Sequence, residues 1–304
     1  MSGPDLLVIG DCNPDLVLRG GDVEPAFGQV ERVVDEAALT IGGSAAIAAC
    51  GAARLGLETA LASIVGDDAF GRFMLDALAE HGVDTSAVVV RAGSRTGVTV
   101  VLVRDSDRAM LTAPGTIAEL TPELVDRELL RAARHVHISS YFLQDGLRPG
   151  LAGLLREARQ AGASTSVDPN WDPREEWNGG LLDLLDDVTV LFVNAEEARR
   201  ITGREGVAEA GRALSAGGTL VVVKLGAEGA FAISGDQVIR SPALAVEQVD
   251  AIGAGDSFDA GFLAGHLAGE PLEVTLRLAN RCGALSMRAA GGTAAQPSLA
   301  DATA

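Results

Sequence analysis

Basic residues are scarce in this 304-residue chain: 24 Lys and Arg stand against 42 Asp and Glu, a net charge of −18. An acidic surface repels nucleic acid and anionic membranes, which sets both aside as partners. It does not bar an anionic ligand, because a local nest of backbone N–H groups still holds phosphate. Cysteine is scarce too. Cys12, Cys50 and Cys282 are odd in number and far apart, which excludes a disulfide framework and reads as buried thiols in a reduced, cytoplasmic protein. Long apolar runs are missing: Leu6–Ile9 is far too short to cross a membrane, and residues 1–5 bring no basic segment before it. The four histidines, His81, His135, His137 and His266, lack zinc-like spacing. No G-x-x-x-x-G-K-[ST] occurs, Gly10 starts no G-x-G-x-x-G, and Ser139-Ser140 has no G-x-S-x-G context. These absences count against a Walker-type ATPase, a dinucleotide dehydrogenase and a serine hydrolase.

Aromatics are only 4%, but glycine is abundant at 37 residues and Ala-rich stretches recur. Small side chains let helices lie close on a sheet, so the composition suits a layered α/β fold. Leu6–Ile9 and residues 59–65 read as core strands, with exposed strands and turns over 16–40, including alternations at Val30, Val33 and Val34. Residues 44–55 and 70–81 read as helices ended by Gly56 and Gly82. A second exposed hairpin joins 97–103 to 110–112. From His135 the pattern alternates: strands at 136–139, 164–167, 188–193 and 220–225, helices at 151–160, 181–185, 195–201 and 207–216. That alternation predicts a largely parallel sheet with helices on both faces. A hairpin over 230–239 and helices at 256–267 and 272–288 follow, and the polar tail 291–304 is expected to end loosely. With no repeat and no long linker, one domain over 1–304 is expected.

The segment richest in chemistry is Asp250-Ala251-Ile252-Gly253-Ala254-Gly255-Asp256. Three small residues stand directly before a helix, so their backbone N–H groups can approach an anion, and the helix dipole favours negative charge there. Phosphoryl transfer needs such a cradle, and Asp256 beside it could accept a proton from an attacking hydroxyl. By itself the segment also reads as a plain turn with a dipole-favoured aspartate.

This segment resembles the C-terminal signature D-[TA]-x-G-A-G-D of the PfkB, ribokinase-like carbohydrate kinases, and the likeness continues through Ser257-Phe258 and Gly261-Phe262. Gly42-Gly43-Ser44-Ala45, running to Ala53-Arg54-Leu55-Gly56, is similar to the family's N-terminal signature, and Gly66-Asp67-Asp68-Ala69-Phe70-Gly71 to its continuation. The match spans nearly the whole chain in order. The resemblance implies a three-layer α/β/α sandwich with a mostly parallel central sheet and a small β-lid from about 14–40 and 92–114. It implies ATP-dependent transfer of phosphate to a hydroxyl of a small, sugar-like substrate, with Asp256 as catalytic base and Gly253, Ala254 and Gly255 as the anion hole. Asn194 and Glu197 match the family's N-x-x-E, with Glu197 ordering Mg²⁺ through water; they also read as a helix cap and its capping-box partner. Lys224, Gly226 and Gly229 resemble the strand-to-loop turn against ATP, although Lys224 also reads as a surface lysine closing a strand. Asn280 lies where the family's helix passes adenine, or is a buried packing amide. Asn13 and Asp15 look like the sugar-binding N-x-D, with Gly42, Gly43, Ser44 and Ile47 along the sugar wall. K⁺ is a further candidate, at Asp250, Ile252 and the 289–292 turn. Lid pairing in the family implies a homodimer.

The chain departs from ribokinases at Ser44, where they carry Lys, and at Ile47, where they carry Asn; both departures count against ribose. Asp172, where ketodeoxygluconate kinases carry Arg, would repel an acidic sugar. Two rival readings remain: a nucleoside kinase, for which Ile47 leaves room, and a non-catalytic sugar- or nucleotide-binding regulator on the same fold.

Overall fold

A computed structural model of the chain describes residues 3–104 and 107–304. Residues 1–2, within the N-terminal segment, and 105–106, within the expected lid, lie outside the described residues. The strands are β1 (Leu6–Ile9), β2 (Asn13–Arg19), β3 (Glu36–Gly42), β4 (Thr59–Gly66), β5 (Val88–Arg91), β6 (Val98–Arg104), β7 (Asp107–Ala113), β8 (His135–Ile138), β9 (Ser164–Val167), β10 (Val190–Asn194), β11 (Leu220–Lys224), β12 (Ala230–Ser234) and β13 (Gln237–Ser241). The helices are α1 (Ser44–Arg54), α2 (Ala69–Glu80), α3 (Arg127–Ala132), α4 (Arg148–Gln160), α5 (Leu181–Leu184), α6 (Ala195–Thr202), α7 (Val207–Leu214), α8 (Ala254–Leu267), α9 (Leu272–Ser286) and α10 (Leu299–Thr303).

Nine strands form one sheet in the order β13-β12-β11-β10-β9-β8-β1-β4-β5, parallel from β5 to β11 and antiparallel at β12 and β13. Every residue of β1 is apolar because both of its faces are covered. Leu7 and Ile9 join a core beneath α4, α6 and α7, while Leu6 and Val8 join another beneath α1, α2, α8 and α9. The result is the three-layer α/β/α sandwich. Chain order reverses on either side of β1, between β8 and β4, and in open parallel sheets that switch opens a crevice at the carboxyl ends of the strands.

A second sheet, β3-β2-β6-β7, stands over that crevice. Its Val17 and Val101 pack on Ile252, and Arg19 Nη2 donates to Asp250 Oδ2 at 2.8 Å.

The structure corrects several expectations. Val30, Val33 and Val34 lie outside any strand. Residues 88–91, too short to announce themselves, form an edge strand beside β4. The tail is tied down rather than loose. Gln296 Nε2 donates to Ile47 O at 2.9 Å and to Ser257 Oγ at 3.1 Å. Ser298 and Asp301 form a capping box for α10, and Ala302 is buried. A polar tail looks solvated until its amide finds a buried partner from a distant element.

Candidate active site

After β13 the chain runs to Asp250, whose carboxylate organises the next turn. Its Oδ1 accepts from Ile252 N at 2.9 Å, and its Oδ2 from Gly291 N at 3.0 Å as well as from Arg19. Gly253 follows with φ 71° and opens α8. A Cβ there would lie 2.8 Å from Gly292 Cα and 2.9 Å from Ile47 Cγ2, so only glycine fits. No cap side chain covers this end of α8. Its first N–H groups therefore lack intrahelical partners and carry the positive end of the dipole. Asp256 stands in the first turn.

Two cavities meet here. One, of about 610 Å³, lies between the strand ends and the second sheet. It gathers Asn13, Asp15, Gly43, Ser44, Ile47, Asn194, Glu197, Ile252, Gly253 and Asp256. Asn13 Nδ2 donates to Thr99 Oγ1 at 3.3 Å on β6. Burial, with the charge of Asp11 adding, pushes Asp15 up to about 7, against the pull of Arg108. The other cavity, about 500 Å³ and mostly apolar, is lined by Gly229, Ala254, Phe258, Asn280 and Met287 among others. Lys224, Gly226, Ala251 and Gly255 line both, and form the seam between them. Of the residues singled out from sequence, Gly42 and Asp250 line neither cavity. A Cβ on Gly42 would strike the Asp15 carboxylate, so its smallness serves Asp15.

Asn194 and Glu197 make the capping box of α6. Asn194 Oδ1 accepts from Glu196 N and Glu197 N, both at 2.9 Å, and Glu197 Oε2 accepts from Asn194 N at 2.8 Å. Both residues also border the larger cavity, where burial and the charge of Asp168 push Glu197 up to about 7. Asn280 similarly donates to Ser241 O at 3.0 Å while lining the apolar cavity. Lys224 is not a surface lysine. Its Nζ lies 2.6 Å from Asp168 Oδ2 and 3.2 Å from Asp259 Oδ1, with 14% of its side chain exposed. Burial first, then the charge of Asp168, pushes Asp256 up to about 8, with Lys224 opposing.

One sequence inference changes and one gains a second role. Asp172 does not face the cavity. Its buried carboxylate accepts from the backbone N–H groups of Arg174, Glu176 and Trp177 and folds that loop, so it gives no reason to exclude acidic acceptors. Ile47 lines the larger cavity and, 3% exposed, also lies against Gly253 and Gly292, so it buttresses the turn as well as forming part of the wall. Other residues were missed. Asp11 accepts from Ser44 N, Ala45 N and Ser140 Oγ, and so caps α1, which has no cap of its own. Asn170 Nδ2 donates to Ser44 Oγ at 2.8 Å. Arg108, on β7, reaches the cavity only through the register of the second sheet.

An open parallel sheet with an uncapped helix N-terminus, a lysine and a carboxylate at the seam of two cavities defines a site for transferring an anionic group. Residues 4–299 match the family model described as pfkB family carbohydrate kinase. The chain is 33% identical over 292 residues to an ATP-dependent ribose-1-phosphate kinase of Halopiger xanaduensis, covering 95% of this chain and 94% of that one. It is 35% identical over 276 residues to a fructokinase of Klebsiella pneumoniae, covering 84% and 88%. Its fold superposes with TM-score 0.88 on a ribokinase II candidate from E. coli in complex with ATP and Mg²⁺, at 24% identity and 98% and 97% coverage. The chain belongs to the PfkB family of carbohydrate kinases, phosphotransferases that use an alcohol group as acceptor.

Proposed function

We propose that this chain transfers the γ-phosphate of ATP to a hydroxyl of a small, sugar-like acceptor, with Asp256 as the base. The observation that carries this reading is the seam: Gly255 and Lys224 border both cavities, and Asp256 stands beside them on the acceptor side. The nucleotide would occupy the apolar cavity, with Gly226, Gly229 and Asn280 along it. Asn13, Asp15, Gly43 and Ser44 would hold acceptor hydroxyls, and Gly42 would keep Asp15 in place. Asp256 takes the proton of the attacking hydroxyl. The N–H groups at Gly253, Ala254 and Gly255 take up charge on the transferred phosphate, which in a water-poor site is the largest contribution available. Asn194 and Glu197 suit a hydrated Mg²⁺, which would neutralise phosphate charge. The second sheet, 14–40 with 92–114, acts as a lid on the single domain 1–304, and water exclusion is its task.

Arg108 beside Asp15 supports including anionic acceptors among the candidates. K⁺ would depend on backbone oxygens near Ile252, since the Asp250 carboxylate already serves Arg19 and two backbone N–H groups. Met110 and Leu111, exposed on edge strand β7, support a homodimer through the lid. Three buried free thiols support a reducing, cytoplasmic setting.

The test is ATP consumption with Mg²⁺, in K⁺ and in Na⁺, across pentoses, ketohexoses, sugar acids, sugar phosphates and nucleosides. One acceptor class should be turned over, with kcat/KM rising with pH through a limb near about 8, where Asp256 ionises. Asp256→Asn should lower kcat roughly 10³-fold with nucleotide binding retained. Turnover indifferent to this substitution would refute Asp256 as base.

A further inference from the structure

Asp259 is a buried acid that no motif accounts for. It lies three residues after Asp256 on α8, hence on the same side of the helix, and is 1% exposed. Its Oδ1 and Oδ2 lie 3.2 and 3.3 Å from Lys224 Nζ, and Asp168 Oδ2 lies 2.6 Å from the same atom. Lys224 comes from the end of β11 and Asp168 from the residue after β9, so three separate elements converge on one ammonium. That ammonium is beside the cradle: a Cβ on Gly255 would lie 3.5 Å from it.

Stability alone gives a poor account of this cluster. Well-packed apolar side chains at such positions are often as stabilising as a buried ion pair, or more so. What the acids supply is a fixed place for a charge. Burial holds Asp259 well above the usual carboxylate range, while Lys224 draws the buried Asp168 down to about 2.

We propose that Asp259 is a positioning residue for phosphoryl transfer: with Asp168 it holds the Lys224 ammonium at the seam of the two cavities, where that ammonium meets the transferring phosphate. The inference rests on the kinase reading above. In the transfer, the acceptor O–P bond forms as the bond to the departing nucleoside diphosphate breaks. The hydroxyl proton passes to Asp256, and Lys224 keeps its own proton throughout.

The experiment compares the full chain with D256N, K224M, D259V, D259N and the double variant K224M/D259V. Steady-state turnover is read with MgATP and the panel sugar that the wild type phosphorylates, MgADP binding by calorimetry, and folding by circular dichroism. K224M and D259V should each lose about 100-fold in kcat, the order seen when one charge-stabilising donor is removed. KM for the sugar and MgADP affinity should stay within about threefold. D259N should recover most of the loss, since its amide can donate to Asp168 while its carbonyl accepts from Lys224. If Asp259 acts through Lys224, K224M/D259V is no slower than K224M alone. The double variant removes Lys224 and Asp259 and leaves Asp168, so its turnover beside K224M also tests the idea should D259V fail to fold. A D259V enzyme with wild-type kcat, or losses that multiply in the double variant, would overturn the proposal. Silence of the wild type, or indifference to D256N, would instead overturn the kinase reading itself.

Discussion

At the residue scale, the site is organised by what each neighbour forbids. Gly253 has a left-handed φ, and its missing Cβ leaves the space in which Gly292 and Ile47 close on the turn. Gly253→Ala combines backbone strain with that clash, and should cost roughly 1–3 kcal/mol of stability. It should also lower kcat at least about tenfold, as misplaced donors do. Urea unfolding and turnover of the purified variant check both, and a variant matching wild type on both counts would show that the turn tolerates a side chain. The Gly-Ala-Gly-Asp stretch was readable through its resemblance to the family's C-terminal signature, since small residues before a helix also read as a plain turn. The Lys224–Asp259 pair was not, because its members lie 35 residues apart on different elements, and no local pattern marks such a partner. Glu197 is an intermediate case: capping box and cavity wall follow from one spacing, and the chain uses both.

At the element scale, the question is how the second sheet is fastened to the first. Two contacts do this near the cradle. Val17 and Val101 pack on Ile252, and Arg19 reaches Asp250, whose side chain is only 4% exposed. Arg19→Ala would leave that carboxylate buried with two backbone donors and no counter-charge. A fully buried pair costs 3–5 kcal/mol when broken; because Arg19 is partly exposed, about 2 kcal/mol is expected here. The Asp250 turn leads directly into Gly253, so KM for the sugar should rise by roughly tenfold as well. A thermal melt with a sugar titration reads both, and an unchanged KM would mean that the ion pair is a fastening of the lid alone. The parallel strands were legible as apolar runs, and the second sheet as weaker alternations. The hairpin of β6 with β7 was legible, but the joining of the sheet was not: β2 runs parallel to β6, so each hairpin's edge is completed by the other, and pairing between distant segments leaves no periodic trace.

For the whole molecule, the pattern of buried titratable groups gives stability a sign. Asp15, Glu197 and Asp256 are held at about 7, 7 and 8, all above their unfolded values. Between the unfolded and folded values the native state binds more protons, so stability falls as pH rises through that window. His135 and His137 act oppositely, since burial lowers both, His137 to about 4; the stability that depends on their neutral form is lost as pH falls below about 6.5. Between pH 6.5 and 8.5 only the carboxylates of this set titrate, so the midpoint of thermal unfolding should drop by a few degrees across it. Asp256→Asn should flatten part of that slope. A midpoint that rises with pH over this range would contradict the burial of these acids.

By itself the sequence determined most of the strands and helices and the small residues that open α8, because these follow from local rules: apolar runs, small residues, helix ends. It also carried the family in contiguous motifs. That Asp172 folds a loop, and that Asp168 and Asp259 both meet Lys224, was decided only when the fold brought these distant segments together. Those roles depend on distances between segments, and sequence order does not encode such distances.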